Sequence, residues 1–121
     1  MTMEMKPPMS FDFYQVEAGN TAVYPESGEG KITPVAYCAL GLAGEAGEVA
    51  GLVSKIIRDD EGVITNEAKK KARKELGDVL WFLARLCSEL GYSLEEVAVA
   101  NLVKLRDRKE RGVLGGSGDE R

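Results

Sequence analysis

The chain has 121 residues, the size of one small domain, with 44% hydrophobic and 30% charged residues as in an ordinary globular protein. A formal net charge of −4 argues against a nucleic-acid polymer as partner, and the absence of histidine excludes Ser-His-Asp and Cys-His nucleophiles, imidazole-bound zinc and Glu-x-x-His di-iron sites. No apolar run approaches the roughly 20 residues of a membrane span, and MTMEMKPPMS lacks the apolar stretch of a signal peptide, so no membrane partner and a cytoplasmic setting are expected.

Residues 1–9 read as a loose arm, with Pro7 and Pro8 blocking regular structure. Ser10 is placed to cap a short helix through FDFYQVEAGNTA, and YPESGEGK is a loop. Thr33 and Pro34, as N-cap and first turn, start a long helix that ends near Arg58. It carries Val35, Leu42, Val49, Leu52, Val53, Ile56 and Ile57 as its apolar residues. Gly41, Gly44, Gly47 and Gly51 interrupt it, each costing about 0.5–1 kcal/mol relative to alanine, which points to close approach by another backbone or a ligand. Thr65 or Asn66 caps a third helix that stops at Gly91, with a stripe of Ala72, Leu76, Val79, Leu80, Leu83 and Leu86. Ser93 and Glu96 form a capping box for a last helix over roughly 94–110, with Leu94, Val97, Ala98, Leu102 and Leu105 inward. The tail 111–121, RGVLGGSGDER, is too glycine-rich for helix or core. Cys38 and Cys87 have no metal-ligand spacing and read as reduced thiols in or near the core. The expected fold is therefore all-α: a helical bundle of three main helices plus a short N-terminal one over residues 10–110. A glycine-rich middle helix and apolar faces beyond what one short chain covers predict completion by homo-oligomerisation.

Two acidic pairs carry the chemistry. Glu45 and Glu48 lie in GLAGEAGEV, and Glu75 and Asp78 in KELGDVLW. The i, i+3 spacing puts each pair on one helical face. A solvated face is the ordinary explanation of such pairs, but these sit among small and apolar residues. Four inward carboxylates repel one another and need hard divalent cations, whose natural customer is a phosphate chain. Asn101, Lys104 and Arg108 share a face of the last helix, either as an exposed polar stripe or as contacts to phosphate. Lys55, seven residues after Glu48, is a carboxylate or phosphate contact or a surface lysine. Tyr14, Gln15 and Tyr37 are candidates to read a nucleobase, and Trp81 and Phe82 are core or stacking residues. Arg111 and Arg121 belong to a tail that is either a disordered end or an arm that closes over bound nucleotide.

FYQVEAGNTAVYP, YCALGLAGEAGEV, KELGDVLW and NLVKLRDRKERGVLGGSGDER together resemble the MazG-like nucleoside triphosphate pyrophosphohydrolases, from about Phe11 to Arg121. The family's E-x-x-E, spacer, E-x-x-D pattern is filled by Glu45, Glu48, Glu75 and Asp78, with 26 residues between Glu48 and Glu75. The resemblance implies an all-α, Mg²⁺-dependent homodimer or homotetramer, with Mn²⁺ as a substitute ion. Its reaction converts a nucleoside triphosphate, in several relatives a deoxynucleoside triphosphate, to the monophosphate and pyrophosphate. In that scheme the four acids hold metal, and Glu48 is the candidate to orient or deprotonate the attacking water. Lys55, Asn101, Lys104, Arg108 and Arg121 face phosphate or sugar; Gln15, Tyr37 and Trp81 face the base. The alternatives are phosphoribosyl-ATP hydrolysis, or a non-catalytic nucleotide-sensing or dimerisation module.

Overall fold

Four helices make up the regular structure among residues 8–121, the part of the chain that the computed structural model describes. Pro7 and the rest of residues 1–7, most of the expected arm, lie outside it. The helices are α1 (Phe11–Gly19), α2 (Ile32–Asp59), α3 (Asn66–Glu89) and α4 (Leu94–Glu110), with no strand among the described residues.

Three starts follow the local sequence chemistry. The side chains of Ser10, Thr65 and Ser93 accept hydrogen bonds from the backbone N–H groups of Phe13, Ala68 and Glu96, and Glu96 closes the capping box on Ser93 N–H. The start of α2 differs from expectation. Its N-cap is Lys31, whose side chain makes no cap bond, and Thr33 and Pro34 both lie in the first turn. Proline is tolerated there because its missing N–H is one that the helix leaves unpaired anyway. Helix α1 also stops short of Ala22, because Thr21 and Ala22 turn back onto the carbonyls of Ala18 and Gly19.

The short connection at residues 60–65 returns α3 along α2, and these two helices share the most extensive interface in the chain. Gly41 explains part of its closeness. A Cβ there would fall 2.2 Å from the Phe82 ring, so only glycine lets that ring lie on the α2 backbone. Among the described residues nothing lies near a Cβ position at Gly44, Gly47 or Gly51, so contacts within that part of the chain account for just one of the four helical glycines of α2. Helix α1 packs on α3 and α4 around Ala84, Cys87 and Leu94, joined by Tyr14, Leu80 and Leu83. Cys38 and Cys87 are buried and unbridged, as expected.

The loop after α1 is held down by a buried carboxylate. Glu89 accepts from the Tyr24 hydroxyl (2.5 Å), Gly28 N–H (2.8 Å) and Gly30 N–H (3.0 Å), and Arg85 lies 3.6 Å away. Arg85 also donates to the Tyr24 oxygen. Gly28 and Gly30 have positive φ (84° and 65°), the conformation that aims both amides at one carboxylate. Burial pushes Glu89 up, but these donors and the Arg85 charge outweigh it and hold its carboxyl below the usual range. Burial, then the bond to Glu89, pushes Tyr24 up to about 12.

Helix α4 departs most from its expected role. Leu94 is buried, but every residue from Val99 to Asp107 is exposed, Leu102 by 62%. Leu105 and Val97, expected inward, are exposed too, as is Leu76 on α3. The helix makes no contact with α2. Its later turns therefore leave the body of the chain with their apolar side chains uncovered. The tail beyond it is neither helix nor a trailing end. It turns back onto α4, and Asp119 reaches Lys104 and Arg108.

Candidate metal and phosphate site

The α2–α3 packing brings the two acidic pairs together. Carboxylate oxygens of Glu45, Glu75 and Asp78 all lie within 4.8 Å of one another. Glu45 and Glu75 are half-buried and Asp78 is exposed, so the cluster sits at the rim of the helix pair, more open than an inward-facing set would be. Partial burial, a hydrogen bond shared with Glu75, and the charges of Asp78, Glu75 and Glu48 together push Glu45 up from its ordinary value. Three carboxylate oxygens this close to one another suit a hard divalent ion.

Glu48 stands outside this set of three. It is exposed, one turn further along α2, and lines a cavity of about 220 Å³ with Gly51, Leu52, Lys55, Lys71, Lys74 and Glu75. Lys55 is thus at the site. Lys71 and Lys74 are there as well, though sequence reasoning did not single them out. Their signal was the basic run KKKARKE, which places Lys71 one helical turn before Glu75. Three ammonium groups line this cavity with Glu48 and Glu75 and give it a rim of mixed charge.

About one turn after Asp78, Trp81 and Phe82 of α3 belong to a ring cluster. Tyr37 stacks on Tyr24 at 4.9 Å, and Trp81 meets Phe82 edge-on at 5.0 Å. The Trp81 Nε1–H donates to Thr21 Oγ1, so its indole has only a ring face to offer a base. Tyr37 is 46% exposed and keeps an open edge. Tyr14 also comes near: burial first, and then the charge of Asp78, push its hydroxyl up. It lines an apolar cavity of about 610 Å³ with Met9, Phe11 and Leu80.

Gln15 is engaged elsewhere. Its amide donates to Ser88 Oγ (2.9 Å) and the Tyr92 carbonyl (3.0 Å) and accepts from Leu94 N–H (2.8 Å). It ties α1 to the α3–α4 turn and satisfies an orphan donor of α4. Those bonds occupy both ends of the group that was expected to read a base.

The α4 candidates lie on a helix that makes no contact with α2, the helix of Glu45 and Glu48. Asn101 and Lys104 line a cavity of about 520 Å³ with Tyr92, Glu96, Val97 and Ala100. Arg108 is buried under the tail. Arg121 clasps the tail itself, donating to the carbonyls of Val113, Leu114 and Gly118, while Arg111 donates to the Arg121 carbonyl.

A family model described as the MazG nucleotide pyrophosphohydrolase domain matches residues 35–113, which span both acidic pairs and all of α4. The chain belongs to that family. It is also 48% identical over 114 residues to the Gene 37 protein of Mycobacterium phage L5, covering 93% of this chain and all of that protein. No solved structure matches it. Membership in the MazG family supports nucleotide pyrophosphohydrolase chemistry and a divalent metal at the acidic cluster. Among the described residues no helix is long and apolar enough to cross a membrane.

Proposed function

We propose that this MazG-family protein hydrolyses a nucleoside triphosphate, in particular a deoxynucleoside triphosphate, to the monophosphate and pyrophosphate, using Mg²⁺. The reading includes a cytoplasmic role in controlling the nucleotide pool. The observation that carries it is the convergence of Glu45, Glu75 and Asp78 from two helices, with lysines on the adjoining rim. These three carboxylates would hold the ion, and Glu48 stands one turn further along α2. Bound there, Mg²⁺ supplies charge neutralisation on phosphate oxygens and makes water more acidic. Glu48, free of the three-carboxylate set, orients or deprotonates the attacking water. Lys55, Lys71 and Lys74 hold the triphosphate over the acids. Trp81, three residues after Asp78, offers a ring face to the base, and Tyr37 its exposed edge.

The test is a panel of canonical and modified nucleoside and deoxynucleoside triphosphates, read out as pyrophosphate released with Mg²⁺, Mn²⁺ or EDTA. Release is expected only with metal. Millimolar Mg²⁺ should also raise the melting temperature, because the unfolded chain cannot assemble the carboxylates. No pyrophosphate from any member, with melting indifferent to Mg²⁺, would sink the reading.

The same proposal includes a homodimer or homotetramer. The buried apolar core of one chain is small, and Val99, Leu102 and Val103 of α4 are uncovered. Pairing of copies would cover these residues and would bring Asn101, Lys104 and Arg108 to a neighbour's acids. Light scattering should then give at least twice the 13.1 kDa of one chain, and Leu102→Glu should reduce both mass and activity. A wild-type monomer that turns over nucleotide would remove the shared-site arrangement.

A further inference from the structure

The tail 111–121 ends in an interaction that the hydrolytic scheme does not use. Arg108 carries a side chain only 5% exposed, and a buried guanidinium without an anion is costly. The carboxylate paired with it is that of Asp119, itself 81% exposed. Asp119 Oδ1 lies 3.1 Å from Arg108 Nη2 and 3.2 Å from Lys104 Nζ, and the Asp119 carbonyl accepts a second bond from Arg108 at 3.2 Å. One carboxylate oxygen thus serves two cations, and one positive charge at the pair is left over.

We propose that Asp119 is a displaceable counter-ion of Lys104 and Arg108, the pair that the family resemblance already assigns to phosphate, and that an incoming phosphate chain exchanges with it. A phosphate group suits the pair better than the carboxylate does, with more charge and more acceptor oxygens. The tail is built to let go. Nothing buries the Asp119 carboxylate, and Gly116 and Gly118 on its approach both have positive φ (96° and 87°). Space for the ligand adjoins the pair, since Lys104 also lines the 520 Å³ cavity with Asn101. The Glu96 carboxylate in that cavity is engaged with Ser93 N–H at 2.6 Å. That the phosphate chain belongs to a nucleotide rests on the proposed hydrolysis; the exchange itself does not.

Pyrophosphate binding to the full-length protein, measured by calorimetry in EDTA at low salt, tests this. Lys55, Lys71 and Lys74 at the acidic rim also attract pyrophosphate, so the share that Lys104→Met removes is the reading of the basic pair, and it stays valid if hydrolysis is never found. Asp119→Asn should bind roughly fivefold more tightly than wild type, and adding Lys104→Met should abolish the gain. In the wild type, pyrophosphate should speed amide exchange across residues 112–121 as the tail detaches. Weaker or unchanged binding by Asp119→Asn would show that Asp119 organises the cations and does not compete for them. Unchanged or slower tail exchange on binding would equally overturn the proposal.

Discussion

Asp78→Asn and Glu45→Gln should each cut metal-dependent pyrophosphate release by at least roughly 100-fold while leaving the fold intact. The two carboxylates come from different helices and meet Glu75 within 4.8 Å, so removing one charge removes a ligand from the set. It also relieves the repulsion that pushes Glu45 up. Melting without metal should therefore hold or rise, and the gain in melting temperature on adding Mg²⁺ should vanish. Activity within a few-fold of wild type would remove that residue from the site. Glu48→Gln provides a contrast. If Glu48 handles the water, kcat collapses while the Mg²⁺-induced melting shift survives. Loss of both would place Glu48 among the metal ligands.

Glu89→Gln should be the most destabilising conservative change among the described residues. The carboxylate is fully buried and receives Tyr24, Gly28, Gly30 and Arg85. An amide keeps one acceptor but turns an N–H₂ toward existing donors and leaves Arg85 buried without its counter-charge. Breaking such a pair costs about 3–5 kcal/mol, enough to lower the melting temperature by more than about 10 °C in a chain of this size. The pH dependence has a definite sign. Because the folded-state carboxyl of Glu89 is held below its ordinary value, its contribution is present above the unfolded-state pKa of about 4.3. It is lost as pH falls through the lower folded value. Wild type should lose stability more steeply than Glu89→Gln below about pH 4. A shift of only a few degrees in the variant, or parallel acid profiles, would show that the loop does not depend on this clamp.

Local chemistry determined much of this protein. The caps at Ser10, Thr65 and Ser93 act through neighbours three residues away, so they are legible in sequence, and so is the stop at Gly91, whose φ is 81°. The two acidic pairs were legible because i, i+3 spacing places both members on one face whatever the helix packs against. Side-chain direction on the remainder of each helix was not. Leu102 and Leu105 look like core positions, and a stripe written for a partner outside the chain reads the same as one written for a partner within it. The α2 glycines show the same ambiguity, since Gly41 meets Phe82 and the other three meet open space. Tertiary packing alone decided that Glu48 leaves the three-carboxylate set, that Gln15 is consumed by the α3–α4 turn, and that Glu89 grips a loop some sixty residues earlier. Arg85 and Glu89, four apart in the apolar run WFLARLCSEL, were the available hint of a buried ion pair. Their partners Tyr24, Gly28 and Gly30 have no periodic relation to them. Periodicity encodes which residues share a face; which groups then meet across faces is set by chain return, and that appears only when the helices are packed.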